Sequence, residues 1–144
     1  MTNEEHYRKL ERMHAASPVN QYYKPILRIS EGCAEAILQV RQDFFHPAGS
    51  VHASAYFKAL DDATFYAVSS LVQDVLMRTV SFTVYFVRPV SQGQMKASGR
   101  VVHSSKNLFV AEAEMVDASN RQIARGSGTF MRSTILLSPE LGYK

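Results

Sequence analysis

The pattern of this chain predicts an α+β domain: an antiparallel sheet of five to six strands curled around one long buried helix, with an extra helix at the N-terminus. Three observations carry that prediction. The segment His52–Leu76 is apolar at helical spacing on one face (Ala53, Phe57, Leu60, Thr64, Ala67, Val68, Leu71) and nearly as apolar elsewhere (Ala55, Ala59, Ala63, Tyr66). A helix apolar all round must be covered on most sides. Almost everything after Met77 reads as β-branched and aromatic strand, and the breaks between those strands are only turn-length.

The elements follow in order. Residues 3 to about 15 read as a helix, with Glu4, Glu5, Lys9, Glu11 and Arg12 solvated and Tyr7, Leu10 and Met13 on the other face. Thr2 or Asn3 supplies the cap, and Ser17-Pro18 ends the helix. Strands are expected at Ile26–Ser30 and Cys33–Arg41, joined by Glu31-Gly32. In the second, Ala34, Ala36, Leu38 and Val40 alternate with Glu35, Gln39 and Arg41, the period of a strand with one buried face. Asp43–Val51 contains Pro47 and Gly49 and reads as a loop before the buried helix. Thr79–Val87, Gln94–Ser104, Asn107–Asp117 and Arg121–Arg132 are the remaining strands, and their short turns imply an antiparallel meander.

The length of 144 residues suits a single domain, with residues 1–20 as a helical extension and 133–144 as a tail. A net charge of +3 suits an anionic ligand, but the basic residues are scattered and form no nucleic-acid arm. The lone Cys33 can form neither an internal disulfide nor a cysteine zinc site, which points to a reducing cytoplasm. No apolar run reaches the roughly 18 residues of a membrane span. The N-terminus lacks an apolar signal core. The five histidines have no metal-ligand spacing, so neither metal nor cofactor is expected.

The segment from His46 to Asp61, HPAGSVHASAYFKALD, placed in this element order, resembles the hotdog-fold acyl-CoA thioesterases of the phenylacetate-pathway type. That family shows Asn-x-x-Gly-x-x-His-Gly-Gly, then six residues, then Asp. Here His46 stands at the Asn position, Gly49 at the Gly, His52 at the His and Ala53-Ser54 at the glycine pair, with Asp61 nine residues after His52. The strand from Thr79 to Pro89 resembles the family's next strand, with Thr79 at a hydroxyl position that helps place the attacking water. Residues 124–130, ARGSGTF, resemble its last strand. The resemblance covers about residues 25 to 132. It implies hydrolysis of a thioester in which CoA enters only as part of the substrate. Alanine at position 53 keeps a backbone donor, whereas His46 replaces an amide with a group that titrates near neutral pH.

Thioester hydrolysis needs a carboxylate that activates water or attacks directly, and a donor for the developing oxyanion. Asp61, in a nearly apolar helix, is the expected carboxylate. The helix start at His52, Ala53 and Ser54 supplies free N–H groups and a positive dipole end. Asp61 lies roughly 12 Å further along at 1.5 Å per residue, too far for both to serve one carbonyl in one chain. The site is therefore expected to pair two subunits, in a homodimer or in a tetramer built as a dimer of dimers. Asp62 points elsewhere on the helix and reads as structural or solvated. Thr79 and Ser81 are candidates to hold water. Arg88, Lys106 and Arg125 are candidates for the CoA phosphates. Phe44, Phe45, Tyr56, Phe57 and Phe65 are candidates to line an acyl pocket. His103 and Cys33 belong to no constellation. Two other readings stay open. One is a hotdog hydratase or dehydratase using His46 and Asp61; the other is a non-catalytic acyl-CoA-binding module.

Overall fold

A computed structural model describes residues 1–144. Helix α1 spans Asn3–Ala16. Thr2 starts it with a reciprocal cap: its hydroxyl accepts the Glu5 N–H at 3.1 Å, and the Glu5 carboxylate accepts the Thr2 N–H at 2.8 Å. Its buried face holds Tyr7, Leu10 and Met13 and adds two histidines, His6 and His14. Ser17-Pro18 ends α1, but Pro18 also opens an unexpected short helix, α2 (Pro18–Tyr23). Proline suits a first helical turn because its ring presets φ and its missing N–H would have no partner there.

Strands β1 (Ile26–Ser30) and β2 (Cys33–Gln39) lead to α3 (Ala53–Ser69), and β3 (Val75–Phe86), β4 (Gln94–Ser104), β5 (Leu108–Val116) and β6 (Gln122–Leu136) follow. The six strands form one antiparallel sheet in the order β1-β2-β4-β5-β6-β3. The four-strand meander expected after the helix is therefore only three strands long, β4 to β6. β3 lies at the far edge beside β6, and β4 pairs with β2. Side-chain alternation specifies which face of a strand is buried, not which strand lies beside it.

Four boundaries differ from the sequence reading by two residues or more. α3 stops at Ser69 instead of Leu76. There the hydroxyls of Ser69 and Ser70 bond the carbonyls of Phe65 at 2.8 Å and Ala67 at 2.6 Å, competing with further helix. The apolar run beyond it, Val75 to Met77, begins β3. β2 ends at Gln39 rather than Arg41, and β6 runs on to Leu136.

The core lies between α3 and the concave face of the sheet. Leu60, Ala63, Ala67 and Val68 of the helix are fully buried, as are Leu38, Met95, Met115, Ile123 and Phe130 of the sheet. Helix and sheet approach closely at Gly99, where a Cβ would stand 2.5 Å from the Ala63 carbonyl oxygen. The residues beyond β6 pack onto the fold as well. Tyr143 is buried, and its hydroxyl meets the His6 ring at 2.7 Å, while the other ring nitrogen of His6 meets the Ser69 carbonyl at 2.9 Å. β3 leaves one side without a neighbouring strand, and Val80, Tyr85 and Phe86 on it are exposed.

Candidate active site

The loop before α3 is shaped around His46. Gly49 has φ +85° and donates its N–H to the His46 carbonyl at 3.0 Å, so this glycine serves a left-handed turn. The Ala48 N–H donates to His46 Nδ1 at 3.1 Å. That leaves the ring proton on Nε2, which donates to Ser50 Oγ at 2.8 Å. These bonds orient the His46 ring within its own loop. Two backbone bonds then hold the chain at the helix entry: Val51 N–H to the Val90 carbonyl at 2.9 Å, and His52 N–H to the Phe44 carbonyl at 2.7 Å.

His52 caps α3, its Nδ1 accepting the Ser54 N–H at 3.0 Å while the Ser54 hydroxyl lies 2.9 Å from the same nitrogen. Ser54 is thereby engaged with the cap, and its N–H is not free for a substrate. The Ala55 N–H returns to the His52 carbonyl at 3.1 Å. Of the donors at the helix start, the exposed Ala53 N–H bonds no group of the chain. Ala53 lines a cleft of about 340 Å³ together with His46, Ser50, Tyr56, Phe86 and Arg88, among others. The Tyr56 hydroxyl takes the Arg88 carbonyl at 2.9 Å. The Arg88 guanidinium has no acidic partner and remains a free cation at the rim.

Asp61 lies two turns along α3, half-buried, with Oδ1 accepting the Thr79 hydroxyl at 2.9 Å. Its other oxygen has no partner in the chain. Burial pushes its pKa above the ordinary carboxylate range. The Thr79 bond opposes that shift, the Asp62 charge adds to it, and Lys58 pulls back. Thr79 therefore touches the carboxylate directly. Ser81 does not share this face: Val80 forms a bulge, with Thr79 opposite Phe130 and Ser81 opposite Thr129, so inward alternation resumes at Phe82 and Ser81 is exposed outside. A simple period of two put the hydroxyls of Thr79 and Ser81 together, and the extra residue undoes it. Phe57, one turn before Asp61, is 40% exposed and meets Phe82 edge-on at 5.4 Å.

Asp62 is not solvated. It is buried and bonded to His14 Nε2 at 2.8 Å and to Lys58 Nζ at 2.8–3.0 Å. Sequence reasoning missed His14. The signal was its place beside Met13 on the apolar stripe of α1, where a buried polar ring needs a partner. The remaining candidates lie elsewhere. Arg125 pairs with Glu114 at 3.0 Å on the sheet's outer side, and Lys106 lines a different surface cleft beside Leu71 and Arg132. Phe44 packs against Tyr22 and Tyr23 of α2. No three His, Cys, Asp or Glu side chains converge as metal ligands.

The model of the thioesterase superfamily matches residues 48–124, more than half of the chain, including the helix start, Asp61 and Thr79. The chain belongs to the thioesterase superfamily. Among solved structures, the PaaI protein of the E. coli phenylacetic acid degradation operon superposes with a TM-score of 0.86 at 20% identity, covering 96% of this chain and all of that one. At that identity it shows the fold, the hotdog arrangement of sheet around helix. The conserved protein PA5202 of Pseudomonas aeruginosa superposes with a TM-score of 0.78 at 26% identity, covering 85% of this chain and 98% of that one. A Sulfurisphaera tokodaii protein named as a candidate esterase is 28% identical over 102 residues, 70% of this chain and 75% of that one. Membership of this superfamily supports a thioester-cleaving hydrolase.

Proposed function

We propose that this thioesterase-superfamily chain hydrolyses an acyl-CoA thioester to the free acid and CoA thiol, with Asp61 as the catalytic carboxylate and the Ala53 N–H as oxyanion donor. One observation carries the reading. Asp61 is half-buried with one oxygen held by Thr79 and the other unpaired, whereas the adjacent Asp62 is wholly committed to His14 and Lys58. A desolvated carboxylate with a free lone pair is suited to take a proton from water or to attack the carbonyl carbon itself. By the first route, hydroxide adds to the carbonyl and the oxyanion rests on the Ala53 N–H. The C–S bond then breaks, and the thiolate recovers the proton from Asp61. By the second, Asp61 displaces the thiolate and water cleaves the resulting anhydride.

Ala53 and Asp61 are separated by about 12 Å of helix, so the proposed site joins the helix start of one subunit to Asp61 of another. The unpaired, partly apolar edge of β3 supports a homodimer joined there, alone or doubled into a tetramer. Arg88, free at the rim of the cleft, suits a CoA phosphate. The exposed Cys33 thiol fits a reducing, cytoplasmic setting. The hydratase reading is weaker, because the lone pair His46 would use as a base accepts the Ala48 N–H.

The test is release of free thiol from acyl-CoAs ranging from acetyl to palmitoyl and aromatic acyl groups. The expected result is turnover with at least one of them and its loss, by about 10² or more, in Asp61→Asn. Hydration of crotonyl-CoA without thiol release overturns the proposal. Acyl-CoA binding without any turnover favours a binding module. Stability supplies an independent check. Burial raises Asp61 above its reference value of 3.8, so ionised Asp61 weakens the fold at neutral pH. Asp61→Asn should therefore melt higher than the parent, whereas a carboxylate kept for packing should melt lower.

A further inference from the structure

We propose that the buried cluster of Asp62, Lys58 and His14 is a positioning device for the reaction, through which the N-terminal helix sets the electrostatic environment of Asp61. The inference rests on the function proposed above. The cluster draws on three elements. Lys58 and Asp62 lie one turn apart on α3, and His14 reaches Asp62 from α1 at 2.8 Å. Side-chain exposures are 2% for His14, 9% for Asp62 and 14% for Lys58. α2 closes the cluster: Asn20 donates to the His14 carbonyl at 2.7 Å, and the Lys58 ammonium lies 5.7 Å from the Tyr23 ring centre. Tyr66 stands edge-on to the His14 ring at 5.1 Å.

Pinning α1 to α3 does not by itself call for such a cluster, because well-packed apolar side chains hold helices together at least as well as a buried ion pair. What distinguishes this pair is its place. Asp62 is the chain neighbour of Asp61, and a buried charge acts strongly on another across a medium of low dielectric. The charged and titratable groups around Asp61 are Asp62, Lys58 and Tyr66 of α3, with the Thr79 hydroxyl facing it from β3. Asp62 disfavours the ionised form of Asp61, and Lys58 favours it. His14 and Lys58 both fix the Asp62 carboxylate in place, so the balance felt by Asp61 depends on α1 being docked.

The experiment is the pH profile of kcat/KM for thiol release, whose acid limb reports ionisation of the free enzyme. Asp62→Asn should move the acid limb down by about one pH unit and Lys58→Met should move it up by about the same. His14→Leu, which deprives Asp62 of a donor, should move it up, and His14→Gln, which keeps a donor, should restore it. Variants that fold, by circular dichroism and melting, yet keep the parent's acid limb overturn the proposal, because a purely structural cluster changes stability alone. If Asp62→Asn does not fold, the Lys58→Met shift decides by the same criterion. If the protein releases no thiol from any acyl-CoA, the proposed function fails first. The ¹³C carboxyl titration of Asp61 in parent and variants then still reads the coupling: opposite shifts in Asp62→Asn and Lys58→Met support it, and unmoved titrations overturn it.

Discussion

Replacing Ala53 by proline removes one hydrogen-bond donor at a position where the backbone is already suited to proline. Ala53 is the first residue of α3, where proline is a favoured residue. The preceding His52 has φ −66° and ψ 148°, the extended conformation a residue before proline adopts. The Ala53 N–H bonds nothing in the chain, so folding loses no hydrogen bond. The expected change in stability is small and favourable, about 0.4–1 kcal/mol from the stiffer unfolded chain. The expected change in catalysis is large. Loss of one oxyanion donor lowers kcat by about 10²–10³, or about 2.7–4 kcal/mol of transition-state stabilisation. Thiol release gives kcat, and thermal melting confirms the fold. An Ala53→Pro enzyme that melts like the parent and turns over at the parent's rate refutes the assignment of this N–H. The same variant tests the shared site. In the proposed dimer, the Ala53→Pro and Asp61→Asn proteins should each be inactive on their own. Unfolded together and refolded, they should recover about one quarter of parental activity, because half of the random dimers are mixed and each has one intact site. A site contained within one subunit recovers nothing.

Thr79→Val removes a hydrogen bond to the charged form of Asp61, a contact worth about 1.5–3 kcal/mol. The acid limb of kcat/KM should therefore rise by about one pH unit or more; an unmoved limb shows that Thr79 does not act on Asp61. Gly99→Ala places a Cβ 2.5 Å from the Ala63 carbonyl, and urea unfolding should show a loss of about 1–3 kcal/mol. A neutral result means that helix and sheet are less closely packed at this point. His6 is buried and its pKa lies below 6.5, because desolvation disfavours its cation. Its contribution to stability is intact above about pH 6.5 and is lost as the pH falls through the lower folded value. The stability difference between parent and His6→Gln should consequently narrow from pH 7.5 to 5.5, and a constant difference shows that His6 does not drive the acid response.

The fold class was legible in local pattern. A helix apolar on all sides, strands with one buried face, and short polar breaks leave few architectures besides a sheet wrapped around a helix. The placement of Asp61 on the buried helix and of Thr79 on the following strand was legible for a related reason: a charge in an apolar helix and a family spacing both mark position along the chain. The candidates that moved in space did so because a distant contact or one extra residue decided their orientation. Ser81 left the Asp61 face through the bulge at Val80, which does not disturb the composition of β3. Ser54 was drawn to the His52 ring. Asp62 found His14 across 48 residues of sequence.

Sequence alone thus determined which residues are apolar, where the backbone must turn, and which carboxylate stands on the buried helix. These are properties of short windows, set by side-chain chemistry and backbone sterics. Tertiary structure decided that β3 pairs with β6, that α3 ends at Ser69, that the Ala53 N–H is left without a partner, and that His14 of α1 bonds Asp62, the chain neighbour of Asp61. Those outcomes depend on which hydrogen-bonding groups find partners once the chain is packed. That competition is settled among residues far apart in sequence, so no local window records it.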